Sequence, residues 1–338
     1  MNIKELGRES FRTKFLDCYD KYLNLSNDQS IAIGIYQKGN YYVFGNGINI
    51  DYMYDIGSIS KTFATHLTLK YVSNGIIKLD NSVDKYLSLK KGSYPTINEL
   101  LTHSAGYNNL TPVEFTVPAL LKHGYSRKNI YEKIKSNDVV KALQKRRRHK
   151  HKNKYGYSDF AFAILAVVLE SVSKVPFAKL LEEFIKEDLE MLQTKIIHNE
   201  NRYPYAINNK KKIKYWKWYL DNPYLFSGGI VSNIQDMLKY INIQVESEEA
   251  YIKNAHVLSE EIESYNNIRI CKGWHTYQKS HQLWHVGGVG TFRSSIIVNK
   301  HHKNGVIVLG NTKGIKKANI HYIAKMIYSE LKIKKIKL

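Results

Sequence analysis

The 338-residue chain reads as an α+β protein in which one antiparallel sheet is flanked by terminal helices and interrupted by a helical insertion domain. Three observations predict this. Strand-like runs occur near the N-terminus and again in the last third of the chain. The stretch between them reads mostly as helices and loops. A final helical run closes the sequence. The composition, 43% hydrophobic and 24% charged, is that of globular proteins and excludes disordered and fibrous classes.

Taken in order, residues 8–24 read as a helix. Residues 30–37 (Ser-Ile-Ala-Ile-Gly-Ile-Tyr-Gln) and 41–46 (Tyr-Tyr-Val-Phe-Gly-Asn) read as strands, and Lys38-Gly39-Asn40 between them is a hairpin signal. Residues 58–74 carry a helix ending near Gly75. In the middle, Phe160–Ser173 is the clearest buried helix and Pro176–Lys186 is amphipathic. Residues 268–278, 282–286, 291–299 and 304–310 give four strands, with turns at Gly287-Gly288 and His301–Asn304, and 316–331 is a last helix. The chain thus divides into a sheet subdomain, residues 1–79 and 206–338, and a mostly helical one, residues 80–205, forming one intertwined unit. The active site is expected in the cleft between them.

Several classes drop out. Two cysteines, Cys18 and Cys271, exclude a disulfide scaffold and a cysteine-rich zinc site, and they read as free thiols. Residues Met1 to Glu9 hold no apolar stretch of signal-peptide type, and the longest apolar run, Phe160 to Leu169, is about half a membrane span. The expectation is a cytoplasmic protein without a transmembrane segment, its oligomeric state open. No Gly-x-x-x-x-Gly-Lys, no strand-linked Gly-x-Gly-x-x-Gly and no His-Glu-x-x-His occurs, so no cofactor and no metal are expected.

Charge is the unusual feature. Lys and Arg outnumber Asp and Glu by 51 to 30, a formal +21, which first suggests nucleic acid or an anionic polymer. Segments 145–154, 210–217 and 313–338 hold nearly all of that excess, leaving the rest almost neutral, and no nucleic acid is expected. Two readings stand for the first two segments: they edge the cleft and attract an anionic substrate, or they are solvated loops. The tail Lys332 to Lys337 either touches an anionic surface or frays.

The strongest local signal is Ile56-Gly57-Ser58-Ile59-Ser60-Lys61. Ser-x-x-Lys at a helix start puts a hydroxyl and an amine on one helix face. A serine hydroxyl needs a base to become a nucleophile, and a lysine whose ammonium is destabilised by burial is such a base. Alone the spacing also describes a capping serine with a surface lysine. Four further stretches accompany it: Leu100-Leu101-Thr102-His103-Ser104-Ala105-Gly106-Tyr107, Tyr157-Ser158-Asp159, Phe226-Ser227-Gly228-Gly229-Ile230 and Trp284-His285-Val286-Gly287-Gly288. His103 reads as a structural histidine, Ser104 and Ser227 lack an adjacent base, and Trp216, Trp218 and Tyr219 either line a groove or pack in the core.

In this order and at these spacings the set resembles the β-lactamase-related serine hydrolases, the class C β-lactamase, DD-peptidase and esterase branch of penicillin-binding-protein-like enzymes. The resemblance spans roughly residues 28–312 and implies a β-lactamase/transpeptidase-like fold. It implies Ser58 as the acylated nucleophile, Lys61 as its proton partner, and Tyr157 as a phenol or phenolate shuttling protons in the field of Lys61. It implies an oxyanion hole from the N–H groups of Ser58 and Gly288, with Asp159, His285 and Gly287 contacting substrate. The departures are informative. Asp159 replaces the family's asparagine, which leaves its role open: recognition of an ammonium-bearing substrate, pairing with Lys61, or capping a helix. His285 stands where β-lactamases carry lysine, which argues against efficient β-lactam turnover. The stretches before Tyr157 and at Asp188-Leu189-Glu190-Met191 lack the family's Pro and Gly. The expected partner is a small-molecule or peptide substrate, a D-amino-acid-containing or anionic one included. The alternatives are an acyltransferase of the same chemistry and a non-catalytic, penicillin-binding-like protein that recognises an anionic polymer.

Overall fold

The computed structural model describes residues 2–15, 30–46, 51–107, 129–146, 154–196, 216–262, 266–277, 280–311 and 317–333. Its strands are β1 (Ile3–Glu5), β2 (Ser30–Gln37), β3 (Asn40–Asn46), β4 (Tyr54–Asp55), β5 (Lys195–Ile196), β6 (Ile230–Ser232), β7 (Ile268–Ile270), β8 (His275–Tyr277), β9 (Leu283–Val289), β10 (Phe292–Asn299) and β11 (Asn304–Asn311). Its helices are α1 (Arg8–Lys14), α2 (Ser60–Ser73), α3 (Ile97–Leu101), α4 (Ser136–Lys145), α5 (Asp159–Ser173), α6 (Phe177–Glu183), α7 (Leu225–Gly228), α8 (Ile234–Glu246), α9 (Ala250–His256) and α10 (Lys317–Ile333).

Eight strands form the main sheet in the order β1-β3-β2-β11-β10-β9-β8-β7. Every pair is antiparallel except β1 with β3, so the expected antiparallel sheet carries one parallel edge strand. β2 turns into β3 through Lys38 and Gly39, both at positive φ, 47° and 85°, as a tight hairpin requires. Alternation then sorts β2: Ile31, Ile33 and Ile35 meet Phe11 of α1 and Ile320 and Ile327 of α10, while Ala32 and Tyr36 join the larger core on the other face. A small sheet, β4-β6-β5, lies apart from the main one.

In α2 every residue from Ser60 to Leu69 is buried, and in α5 every residue from Asp159 to Leu169. Each Phe, Ile or Leu sealed in α5 contributes about 1.5–3 kcal/mol relative to exposure. The N-cap of α5 is Ser158, whose Oγ accepts from Ala161 N–H at 3.1 Å. The apolar surface of α5 is spent in this core. Among the described residues no single helix is long and apolar enough to cross a membrane.

The structure revises several boundaries. The run 268–278 is a hairpin of β7 and β8, broken at Gly273, whose φ is +67° and whose N–H is taken by Leu101 O at 2.9 Å. β9 continues through Gly287 and Gly288 and pairs with β10 there, so the expected turn moves to Gly290. Residues 57–59 form a 3₁₀ turn ahead of α2, and the amphipathic run after Pro176 ends in a π-helical turn at Phe184–Asp188. α8, which the sequence reading passed over, is capped by Asn233, whose Oδ1 accepts from Asp236 N–H at 2.9 Å. Of the helix expected over 8–24, the described part ends at Lys14. Cys18, the segments 147–153 and 210–215, and the tail beyond Ile333 lie outside the described residues. Cys271 is a buried free thiol, pushed up to about 12 by its burial.

Candidate active site

The site begins where backbone meets backbone. β4 delivers the chain to Gly57, and Ile56 N–H is fixed by Ile230 O at 3.1 Å. A Cβ on Gly57 would stand 2.5 Å from Gly288 N, and one on Gly287 would stand 2.0 Å from Ile56 O and 2.2 Å from Ser294 Oγ. Neither position tolerates a side chain. Ser294 Oγ donates to Ile56 O at 2.7 Å and closes the contact. Half-buried Ser58 is thereby held against the end of β9.

Lys61 lies in the first turn of α2 and is fully buried. Its Nζ donates to Ser227 O at 2.7 Å and to Ser58 Oγ at 3.4 Å, and it stands 2.5 Å from Asp159 Oδ1. Burial pushes Lys61 below the usual lysine range, and the Asp159 charge pulls it back part of the way. The second carboxylate oxygen of Asp159 accepts from Tyr131 OH at 2.8 Å. Of the roles left open for Asp159, the structure shows the pairing with Lys61. The carboxylate is held by two donors, the Lys61 ammonium and the Tyr131 hydroxyl.

Tyr157 stands beside this pair, with Lys61 Nζ 5.0 Å from its ring centroid. Its hydroxyl is sealed from solvent without a full hydrogen-bond partner. Burial, and secondly the Asp159 charge, push the phenol well above its ordinary value, while the nearby Ser58 hydroxyl works the other way. Asp159 offsets the Lys61 charge, and of the two forms expected for Tyr157, phenol and phenolate, the neutral phenol is the resting one.

His103 braces the tyrosine loop. Its carbonyl accepts from Gly156 N–H at 2.8 Å and its Nδ1 from Ser158 N–H at 3.1 Å. Its ring lies 4.6 Å from that of Tyr157 and 5.2 Å from that of Phe162. Burial first, then the charges of Lys61 and His275, hold it well below the ordinary histidine range, so it is neutral and carries its proton on Nε2. Ser104 Oγ pairs with Thr102 Oγ1 at 2.9 Å.

On β9, His285 is buried and Nδ1 donates to Val286 O at 3.0 Å, its ring 6.4 Å from that of Tyr157. Gly287 is buried against Ile56, while Gly288 stays half-exposed beside Gly57. Trp218 packs into the core, its ring stacked 6.2 Å from Tyr131, whereas half-buried Trp216 stands at the Gly290 turn. Among the described residues no group of three or more His, Cys, Asp or Glu could hold a metal ion.

Sequence reasoning missed two members. Tyr131 is a lone tyrosine with no motif around it, and its place is set by its stack on Tyr224, ring centroids 4.4 Å apart. Ser227 drew notice for its hydroxyl, which donates to Tyr224 O at 2.9 Å; the group that reaches Lys61 is its carbonyl.

Comparison with known proteins agrees with this geometry. The β-lactamase family profile matches residues 26–326. Protein flp of Staphylococcus aureus (strain MRSA252) is 23% identical over 290 residues, 81% of this chain and 54% of that protein. A β-lactamase of Providencia stuartii is 26% identical over 221 residues, 63% of this chain and 51% of that one. The chain spans about half the length of the curated relatives it matches. Among solved structures, an octameric penicillin-binding protein homologue from Pyrococcus abyssi superposes with TM-score 0.74 at 20% identity, covering 98% of this chain and 78% of that one. A class C β-lactamase from Rhodobacter sphaeroides gives TM-score 0.76 at 16% identity, covering 94% and 99%. With the profile covering most of its length, and the same fold recurring in these structures, the chain belongs to the β-lactamase family.

Proposed function

We propose that the protein cleaves an ester or amide through an acyl-enzyme on Ser58. The observation that carries this reading is the placement of Lys61: a fully buried amine, depressed by burial, with Nζ 3.4 Å from Ser58 Oγ. A lysine kept only for charge would sit in water.

In the neutral form of Lys61, Nζ takes the Ser58 proton as Oγ attacks the substrate carbonyl. The N–H groups of Ser58 and Gly288 stabilise the resulting oxyanion, a contribution worth about 3–4 kcal/mol per donor in related chemistry. Tyr157, resting as a phenol, gives its proton to the leaving group and is reprotonated by the Lys61 ammonium. Water then repeats the sequence in reverse and frees Ser58. His285 lies in place of the family's β-lactam-binding lysine, so esters or peptides are the expected substrates ahead of β-lactams.

Intact-mass spectrometry after incubation with activated esters, D-amino-acid amides and a fluorophosphonate tests the reading. Wild type is expected to gain one adduct and Ser58→Ala none, with turnover lost. Full turnover in Ser58→Ala overturns the assignment.

A further inference from the structure

Tyr131 lies in the turn ahead of α4, and its backbone and its ring are each fixed. Its N–H donates to Asn129 Oδ1 at 2.9 Å, and its carbonyl accepts from Asn222 Nδ2 at 2.5 Å. Its ring stacks on Tyr224, and Trp216 meets it edge-on, centroids 6.0 Å apart. Asn129 Nδ2 in turn donates to Lys217 O at 2.8 Å, which ties the turn to the segment of Trp216 and Trp218. Both asparagines are buried. A phenylalanine would fill the same stack. The hydroxyl adds one proton to give, at the cost of taking a polar group out of water, and that proton goes to Asp159 Oδ2 at 2.8 Å.

Two contacts carry this hydrogen bond to the nucleophile: Asp159 Oδ1 meets Lys61 Nζ, and Nζ lies 3.4 Å from Ser58 Oγ. The Lys61–Asp159 pair has a proton-bound form, ammonium facing carboxylate, and a proton-free form, amine facing carboxylate. Only the second can take the Ser58 proton. In the first the ammonium satisfies the carboxylate. In the second a buried carboxylate has lost its counter-ion, and among the described residues the Tyr131 hydroxyl is the donor that stays with it. Around the pair stand Tyr157 and His103, both neutral at rest, and His275 of β8 acts on His103 from behind. Tyr224 lies against the Tyr131 ring, and Arg146, at the end of α4, lies 5.9 Å from the ring of Phe160. All of these are common to the variants compared below, so a difference between variants reads the Tyr131 hydroxyl.

We infer that Tyr131 is a positioning residue that sets the proton balance of the Lys61–Asp159 pair: its hydroxyl holds the Asp159 carboxylate once Lys61 has given up its proton, and so keeps the free amine available to Ser58. This rests on the reading of Ser58 as the nucleophile and Lys61 as its base. Loss of the hydroxyl destabilises the proton-free pair more than the proton-bound one, so the pair holds its proton to higher pH.

The test follows kcat/KM for phenyl acetate against pH in wild type, Tyr131→Phe, Asp159→Asn and the double variant. Tyr131→Phe keeps the ring and its stack. Its acid limb is expected about one unit above that of wild type, and the wild-type-to-variant ratio about ten times larger on the limb than above it, the size of a hydrogen bond to a charged group. In the Asp159→Asn background the same replacement is expected to leave the limb in place. A ratio equal at every pH makes Tyr131 a packing residue and overturns the inference, as does a limb that moves equally in the Asp159→Asn background. A carbon-13 NMR titration of protein labelled at lysine Cε reads the balance without turnover, the Lys61 signal being the one lost in Lys61→Arg. A midpoint raised in Tyr131→Phe, in a protein that cleaves no ester and takes no fluorophosphonate, overturns the hydrolase reading and leaves the role of Tyr131 standing. A midpoint unmoved or lowered overturns the inference and leaves the acyl-enzyme on Ser58 untouched.

Discussion

Lys61 is bound to oxygens of Ser58, Ser227 and Asp159 while sealed from water, and these neighbours oppose one another. Burial favours the free amine, which is the base the chemistry needs; Asp159 favours the ammonium. A carboxylate at hydrogen-bond distance typically moves a partner by about 1–3 pH units. Asp159→Asn removes the charge and retains an oxygen able to accept from Tyr131. Lys61 should then lose its proton more readily, and the acid limb of the kcat/KM profile should move to lower pH by about 1–3 units. Below the wild-type limb the variant should be about ten times faster or more. An unmoved limb, or one displaced to higher pH, contradicts the pairing as the control on Lys61.

The loop that carries Tyr157 depends on His103, which spans it with two hydrogen bonds and a ring contact. His103→Asn places an amide oxygen near the lost Nδ1 and keeps the acceptor for Ser158 N–H, whereas His103→Ala removes acceptor and ring together. We expect His103→Ala to lower kcat by about tenfold or more with KM little changed, and His103→Asn to recover part of it, because a misplaced general acid costs the chemical step and not substrate binding. A fall in both variants carried entirely by KM would place His103 in substrate binding instead. Here too the limits of sequence reading show physically. Ser58 and Lys61 were legible because helical spacing alone puts positions three apart on one face. Tyr157 and Asp159 were legible as a set with the other motifs, yet their protonation was not, since it follows from which charges fold together. The strand through Gly287 and Gly288 read as a turn because a glycine pair signals one; here the glycines admit the backbone of Ile56 and Gly57. Tyr131 has no sequence signal, because it acquires its place from Tyr224, a partner distant along the chain.

Stability as a function of pH follows from the groups this fold buries. His66 and His103 are held well below the ordinary histidine range by burial, and His256 and His321 are lowered to about 4 by the same cause. The unfolded chain takes these protons near pH 6.5 and the folded chain does not, so stability is complete above that value and falls as pH drops from 6.5 toward 4. Each proton contributes about 1.4 kcal/mol per pH unit in that window. Asp55 works in the other direction: it is buried, its carboxyl has no hydrogen-bond partner among the described residues, and burial raises it well above the carboxylate range, so its contribution shrinks as pH rises past about 4. One acid is outweighed by four histidines. The urea midpoint should therefore stay near its maximum above pH 7 and fall steeply between pH 6.5 and 4.5. His256 and His321 are held by different neighbours, the first beside Gln244 and the second between Ser295 and Tyr277, so their effects should add. Replacing both by Gln should flatten that slope by about two protons' worth, whatever it does to stability at pH 7.5. An unchanged slope in the double variant would show that the acid sensitivity lies with other groups.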